Sequence, residues 1–263
     1  MSKTVAQPEA EANRYTRRSI LRSEKMYGTG FQSPGKLAAV ASFCSRLDMK
    51  PGMRVLDIGS GLGGSAFYFA DYYDAHVVGL DVASAMVEIS TERARKRNLS
   101  NVAFQLGDIR THLLPACVFD LAWTRDAILY VPEKLKVWQR VFECLKPGGQ
   151  LFITDFCRRP GTISIDFADY LEQCHYYLQS ISEYTQTLVQ AGFEIVASED
   201  VTLEFIDSLE QEKQDLMARK AEFLAEFDEA DYQYLIERWE KKTRFCRQGD
   251  FRWGMFIARK PDA

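Results

Sequence analysis

No apolar run in these 263 residues approaches the ~20 needed to span a bilayer. The polar start Met1 to Asn13 lacks the apolar core of a secretory signal and reads as a flexible tail, so the cytoplasm is the expected compartment. Six cysteines (Cys44, Cys117, Cys144, Cys157, Cys174, Cys246) are scattered without a C-x-x-C pair, which argues against a zinc site or a disulfide framework. No metal site is expected. The formal net charge of −4 argues against nucleic acid as the main partner, because binding phosphate backbones requires a basic surface. No internal repeat or low-complexity block appears. A 46% hydrophobic content over this length is enough for one α/β domain with an added cap.

What the chain does contain is an apolar strand that breaks into closely spaced glycines: Val55-Leu56-Asp57-Ile58-Gly59-Ser60-Gly61-Leu62-Gly63-Gly64. Such a turn lets a ligand approach main-chain N–H groups at the start of the following helix. Dinucleotides and S-adenosylmethionine both use this arrangement. Gly59, Gly61 and Gly64 satisfy the dinucleotide spacing, and a second strand, Ala75 to Asp81, ends in the acid that this fingerprint also requires. Asp57 favours the second ligand, because a carboxylate beside the glycines repels a pyrophosphate and suits the cationic methionine portion of S-adenosylmethionine. Asp81 can accept both ribose hydroxyls. Asp108 and Ile109, after the strand Val102 to Leu106, are placed for the adenine amino group and the ring face. The reading is therefore a methyltransferase.

The pattern divides into a tail (1–13), an N-terminal lid segment (14–36), a cofactor-binding α/β core (37–156), acceptor-site helices and cap with one core strand (157–249), and a terminal strand and tail (250–263). Helices are expected at Leu37–Leu47, Asp166–Leu178, Ser182–Ala191, Ser208–Phe227 and Glu229–Phe245, and a strand at Phe193–Ala197. The fold expected is a doubly wound, Rossmann-like, mostly parallel sheet whose last strand, Arg252 to Lys260, joins antiparallel.

An ordered set of blocks from Arg14 to Lys260 resembles the phosphoethanolamine N-methyltransferases: Arg14-Tyr15-Thr16, Tyr27 to Ser33, Arg125 to Leu129, Ile153 to Cys157, Phe167 to Tyr170, Ala191-Gly192-Phe193 and Arg252-Trp253-Gly254. The resemblance implies that Ser33, Asp57, Gly59, Asp81, Asp108, Ile109 and Arg125 hold the cofactor, with Gly61 and Val82 completing the set. It implies that Tyr15 closes over the active site and that Asp126, Tyr170, Tyr176 and Lys242 face the acceptor.

The acceptor positions depart from the family. Its histidine after Arg-Asp-x-Ile-Leu is Tyr130, its tyrosine in Thr-Asp-Tyr-Cys is Phe156, and its arginine before x-Tyr is Cys174, followed by His175. A phosphate dianion favours an arginine fork beside a lysine. Lys242 alone better matches a monoanion. Loss of the histidine also favours an acceptor nitrogen that arrives neutral, as an imidazole does, since a primary amine is protonated at pH 7. The acceptor expected from these residues is a carboxylate-bearing amine or imidazole, for example a thiohistidine ring nitrogen. Tyr15, Tyr130 and Asp126 would orient it, and Phe156, Tyr170, Cys174, His175, Tyr176 and Lys242 would line its pocket.

The alternative is a phosphobase acceptor, with His175 in place of the missing arginine. Two other classes are an oxidoreductase, disfavoured by Asp57 and the Asp108-Ile109 pair, and a catalytically weak S-adenosylmethionine binder. A monomer or weak oligomer is expected.

Overall fold

The computed structural model describes residues 15–262. The tail expected at Met1–Asn13 and the Arg14 of the first family block lie outside the described residues. Seven strands, β1 (Arg54–Ile58), β2 (His76–Asp81), β3 (Val102–Leu106), β4 (Phe119–Arg125), β5 (Leu145–Arg158), β6 (Glu194–Asp200) and β7 (Phe251–Arg259), form one sheet in the order β3-β2-β1-β4-β5-β7-β6. β1 to β5 are parallel, and β7 runs antiparallel to both β5 and β6, as expected for the terminal strand.

Both faces of the sheet are covered, so its central strands are apolar almost throughout. The two-residue period sends Val55, Leu121, Trp123 and Phe152 into one core and Leu56, Ile58, Ala122, Leu151 and Ile153 into the other. Trp123 and Phe152 are register partners on β4 and β5, and their rings stack at 4.2 Å. The surrounding helices are α1 (Arg17–Tyr27), α2 (Lys36–Cys44), α3 (Gly64–Tyr73), α4 (Ser84–Lys96), α5 (Lys134–Cys144), α6 (Ile165–Cys174), α7 (Ile181–Gln190), α8 (Thr202–Ala218), α9 (Lys220–Leu224) and α10 (Glu229–Gln248).

Two expected helices end earlier than their apolar pattern. The one beginning near Asp166 stops at Cys174 because His175 takes the left-handed conformation (φ 54°), and the long charged one breaks at Arg219 (φ −106°, ψ 24°). α10 starts where Asp228 accepts from the Asp231 amide at 2.8 Å and ends at Gly249 in the left-handed conformation. Its buried stripe, Leu235, Trp239, Lys242 and Cys246, follows the three-to-four spacing of a core-facing helix.

Strand order reverses between β1 and β4. The loops after these two strands therefore diverge and leave a crevice at the carboxyl edge of the sheet. α1 closes this crevice from outside. Arg17 pairs with Glu92 (2.9 Å) and Arg93 with Glu24 (2.6 Å), joining α1 to α4. On the other side Arg18 and Arg22 converge on Asp231 of α10, and Lys25 reaches Glu226 (2.5 Å).

Replacing Asp231 with Asn keeps the shape and the helix cap while removing the charge that Arg22 meets in a mostly buried setting. The expected loss is about 1–2 kcal/mol, or roughly 2–8 °C in Tm for a domain of this size. Amide exchange should accelerate across residues 17–27 and not across β1 to β5. Unchanged protection of α1 would show that apolar packing holds this helix without the ion pair.

Candidate active site

Each strand of the first half of the sheet ends in, or just before, a chemically useful side chain. β1 delivers Asp57, β2 delivers Asp81, the loop after β3 delivers Asp108 and Ile109, and β4 delivers Arg125 and Asp126. All line a single cavity of about 550 Å³ that runs from the glycine turn to the inner face of α10. That volume falls in the ordinary range for small-molecule sites.

The glycine turn has no room for a side chain at Gly59 or Gly64, whereas Gly61 faces open space. Gly59 has φ 69°, and a Cβ there would stand 2.2 Å from that of Ala127. A Cβ on Gly64 would stand 2.5 Å from the Gly30 carbonyl, which accepts the Gly64 amide at 3.0 Å. The loop after α1 is thereby tied to the start of α3. Ser33 donates to the Arg125 carbonyl at 3.2 Å and Arg125 donates to the Pro34 carbonyl, which fixes the same loop to the end of β4.

Asp57 is 3% exposed, and one carboxylate oxygen is buried without a hydrogen-bond partner; the hydroxyl of Ser60 beside it is also unpartnered. Burial, reinforced by Asp81 and opposed by Arg125, pushes the Asp57 carboxyl up to about 7. A cationic amine placed here would satisfy the orphaned acceptor, so the site fits the aminoacyl end of S-adenosylmethionine. Asp81 accepts from the Gly61 amide (2.8 Å) and the Ala83 amide (2.9 Å), which aims its carboxylate and leaves each oxygen a second lone pair for a ribose hydroxyl. Asp108 is gripped by Arg110, whose Nε lies 2.9 Å from both oxygens; partial burial opposes ionisation, but this grip holds the carboxyl below its usual range. Ile109 is buried and Val82 is half exposed, and both face the cavity.

The acceptor half is an aromatic cup. The Tyr15 and Tyr130 hydroxyls lie 3.4 Å apart. Tyr176 meets Tyr130 at 5.4 Å and Tyr170 at 5.9 Å edge-on, and Phe156 at 6.0 Å tilted. Asp126 has φ 52°, a strained value for a residue with a side chain. One of its oxygens accepts from the Trp253 indole at 2.7 Å while the other is buried without a partner, and burial raises the carboxyl. Lys242 is 1% exposed, donates to the Tyr27 hydroxyl at 3.4 Å, and sits over the Phe156 ring (4.9 Å) and the Trp239 ring (5.1 Å). Burial, with Arg238 next, pulls its ammonium down to about 7.

The structure brings the expected site residues to this cavity with one correction. His175 is exposed and does not line it, because the left-handed turn that ends α6 points its side chain to solvent while Cys174 faces inward. Tyr177 is likewise exposed. Arg238, Lys241 and Tyr27 line the cavity and were missed. The signal for Arg238 was its spacing, since a residue four before Lys242 shares its helix face.

A cofactor amine at Asp57 requires the carboxylate, so affinity for S-adenosylhomocysteine should fall as pH drops through about 7 and the empty site's acid becomes protonated. Asp57→Asn should flatten that dependence and weaken binding by about 10- to 100-fold, the loss expected for a charge-assisted hydrogen bond. Isothermal titration at pH 6 and 8 checks both; equal affinity at the two pH values in the native protein would remove Asp57 from the cofactor set.

Comparison with known proteins agrees with this geometry. A family model described as a methyltransferase domain matches residues 49–192. The phosphoethanolamine N-methyltransferase of Plasmodium falciparum (isolate 3D7) is 35% identical over 95% of this chain and 94% of its own. That of Triticum aestivum is 40% identical over 92% of this chain and 48% of its own, so this chain spans about half the length of that relative. The solved phosphoethanolamine N-methyltransferase 2 of Haemonchus contortus, in complex with phosphomonomethylethanolamine and S-adenosylhomocysteine, superposes with a TM-score of 0.94 at 30% identity, covering 99% of this chain and 62% of that one. With a relative this similar matched over more than nine tenths of both chains, the chain belongs to the phosphoethanolamine N-methyltransferase family.

Proposed function

We propose that this chain transfers a methyl group from S-adenosylmethionine to the amino nitrogen of a small phosphobase. The observation that carries the reading is Lys242: a buried cation at the closed end of the cavity, with no carboxylate within ion-pair distance among the described residues. Such a group is a seat for an anion, and it lies across the aromatic cup from Asp126. Relatives named for phosphoethanolamine, and a neighbour holding a methylated phosphoethanolamine, support the same class of acceptor. They favour it over the carboxylate-bearing imidazole that the substitutions pointed to. Counting Lys242 as the pocket's one cation undercounts it, because Arg238 and Lys241 of the same helix also line the cavity.

S-adenosylmethionine supplies an electrophilic methyl on a sulfonium, so the protein's task is to align an unprotonated nitrogen and exclude water. A primary amine reaches the site as an ammonium. Asp126 offers it a partnerless oxygen whose carboxyl is raised by burial, the property wanted in a group that takes the proton. The tyrosine rings of the cup present faces to a cationic amine. Tyr15 and Tyr130 supply hydroxyls where the family has a tyrosine and a histidine, and they orient the nitrogen without serving as its base.

Phosphoethanolamine and its methylated forms should be turned over with kcat/KM at least about 100-fold above a thiohistidine, as expected when a polar site leaves its buried groups unpaired with the wrong acceptor. The reverse order would restore the imidazole reading, and no methyl transfer to either class would support a binding protein. Tyr15→Phe should lower kcat while leaving the dissociation constant of S-adenosylhomocysteine within about twofold, because its hydroxyl meets Tyr130 on the acceptor side. An equal loss of cofactor affinity would move Tyr15 out of that role.

A further inference from the structure

Lys242 does not stand alone at the closed end of the cavity. Arg238 lies one turn earlier on α10, lines the same cavity, and has phenol rings on its other sides, with Tyr176, Tyr27 and Tyr130 among its electrostatic neighbours. Among the described residues no carboxylate reaches it within ion-pair distance. The acids that act on Lys242 are Asp126, across the cup, and Glu212, whose oxygens are taken by the Gly35 amide (2.9 Å) and the Trp239 indole (3.2 Å). Two cations on one helix face, Lys242 buried and Arg238 half-buried, neither neutralised locally, repel one another until an anion arrives.

Resting on the phosphobase reading, we propose that Arg238 and Lys242 together form a two-cation seat for a dianionic phosphate monoester, and that Arg238 is the residue that separates a dianion from a monoanion. A guanidinium presents a planar fork to two phosphate oxygens, and an ammonium adds a point charge to the third. A phosphate monoester carries about −1.5 to −2 at pH 7 and so matches two cations. A carboxylate or sulfate ester carries one negative charge and leaves one cation buried and uncompensated, which is costly in a closed site. Repulsion from Arg238 also contributes to the depressed ammonium of Lys242, as expected if the pair is completed by its ligand. The guanidinium thus reaches the anion from α10, and the inward side of α6 at the same cavity is left to the neutral Cys174.

Three acceptors that share the aminoethyl group test this: phosphoethanolamine, 2-aminoethyl hydrogen sulfate and ethanolamine. Arg238→Gln should raise KM for phosphoethanolamine by about 10- to 100-fold, the range for one charge-assisted contact. It should change kcat/KM for the sulfate ester by less than about threefold and leave S-adenosylhomocysteine affinity unchanged. The phosphate-over-sulfate preference should therefore collapse. Arg238→Lys should retain part of that preference, and Cys174→Arg in the Arg238→Gln background should recover part of it, because both return charge to the cavity. An unchanged KM for phosphoethanolamine in Arg238→Gln, or an equal loss for both esters, would overturn the seat while leaving the phosphobase reading intact. Failure of the native enzyme to methylate phosphoethanolamine would overturn that reading and the seat with it.

Discussion

Unneutralised charge held away from water is the constraint on which this molecule turns. Asp57, Arg125 and Lys242 are buried and Asp126 half-buried in one cavity, and each is pushed towards its neutral form by desolvation. Each group costs stability unless its surroundings compensate. Compensation within the protein is partial: Arg125 keeps two guanidinium nitrogens without hydrogen-bond partners, and Asp57 and Asp126 each keep an oxygen without one. Groups left in this condition are complementary to a charged, hydrogen-bonding ligand, and the large aromatic core beneath them supplies the stability that tolerates the arrangement.

That core also fixes where the charges stand. The Trp253 indole holds Asp126, and the Trp253 amide in turn donates to Thr202 at 3.0 Å, which links β7 to the start of α8. Below the cup, Tyr184 donates to Asp155 at 3.0 Å and Lys134 approaches the same carboxylate at 3.8 Å, an enclosed trio that secures β5 against α5 and α7. Phe156, the next residue on β5, is thereby placed under the Lys242 ammonium. Without a hydroxyl at position 156, only the aromatic face of Phe156 meets the Lys242 cation.

The cofactor half was legible because it is local. A strand, a glycine turn, a helix and an acid at the next strand end occur within about 25 residues of sequence, and β-strand ends converge at a switch point by topology alone. The acceptor half was less so, because it is assembled from segments more than 200 residues apart, such as Tyr15 and Lys242. Two misreadings show why. His175 follows a helix whose apolar pattern gives no warning of its end, so a one-residue change of handedness moves the histidine outside and leaves Cys174 inside. Arg238 lies in a helix read as part of the cap, and only the packing of α1 and α6 against α10 makes it a wall of the cavity. Helix register offered the missing clue, since Leu235, Trp239 and Lys242 already marked which side of α10 was inward.

α10 is consequently engaged at both ends of the problem. Its middle presents Arg238 and Lys242 to the cavity, and its first turn presents Asp231 to Arg18 and Arg22 of α1. α1 is preceded by Tyr15, the hydroxyl that meets Tyr130 above the cup. The proposed acceptor, seated on the α10 cations, would draw on the same helix that pairs with α1, with its amino end beneath Tyr15. On the proposed reading, charge recognition and exclusion of water would meet on this one helix, which contacts both the anion seat and α1.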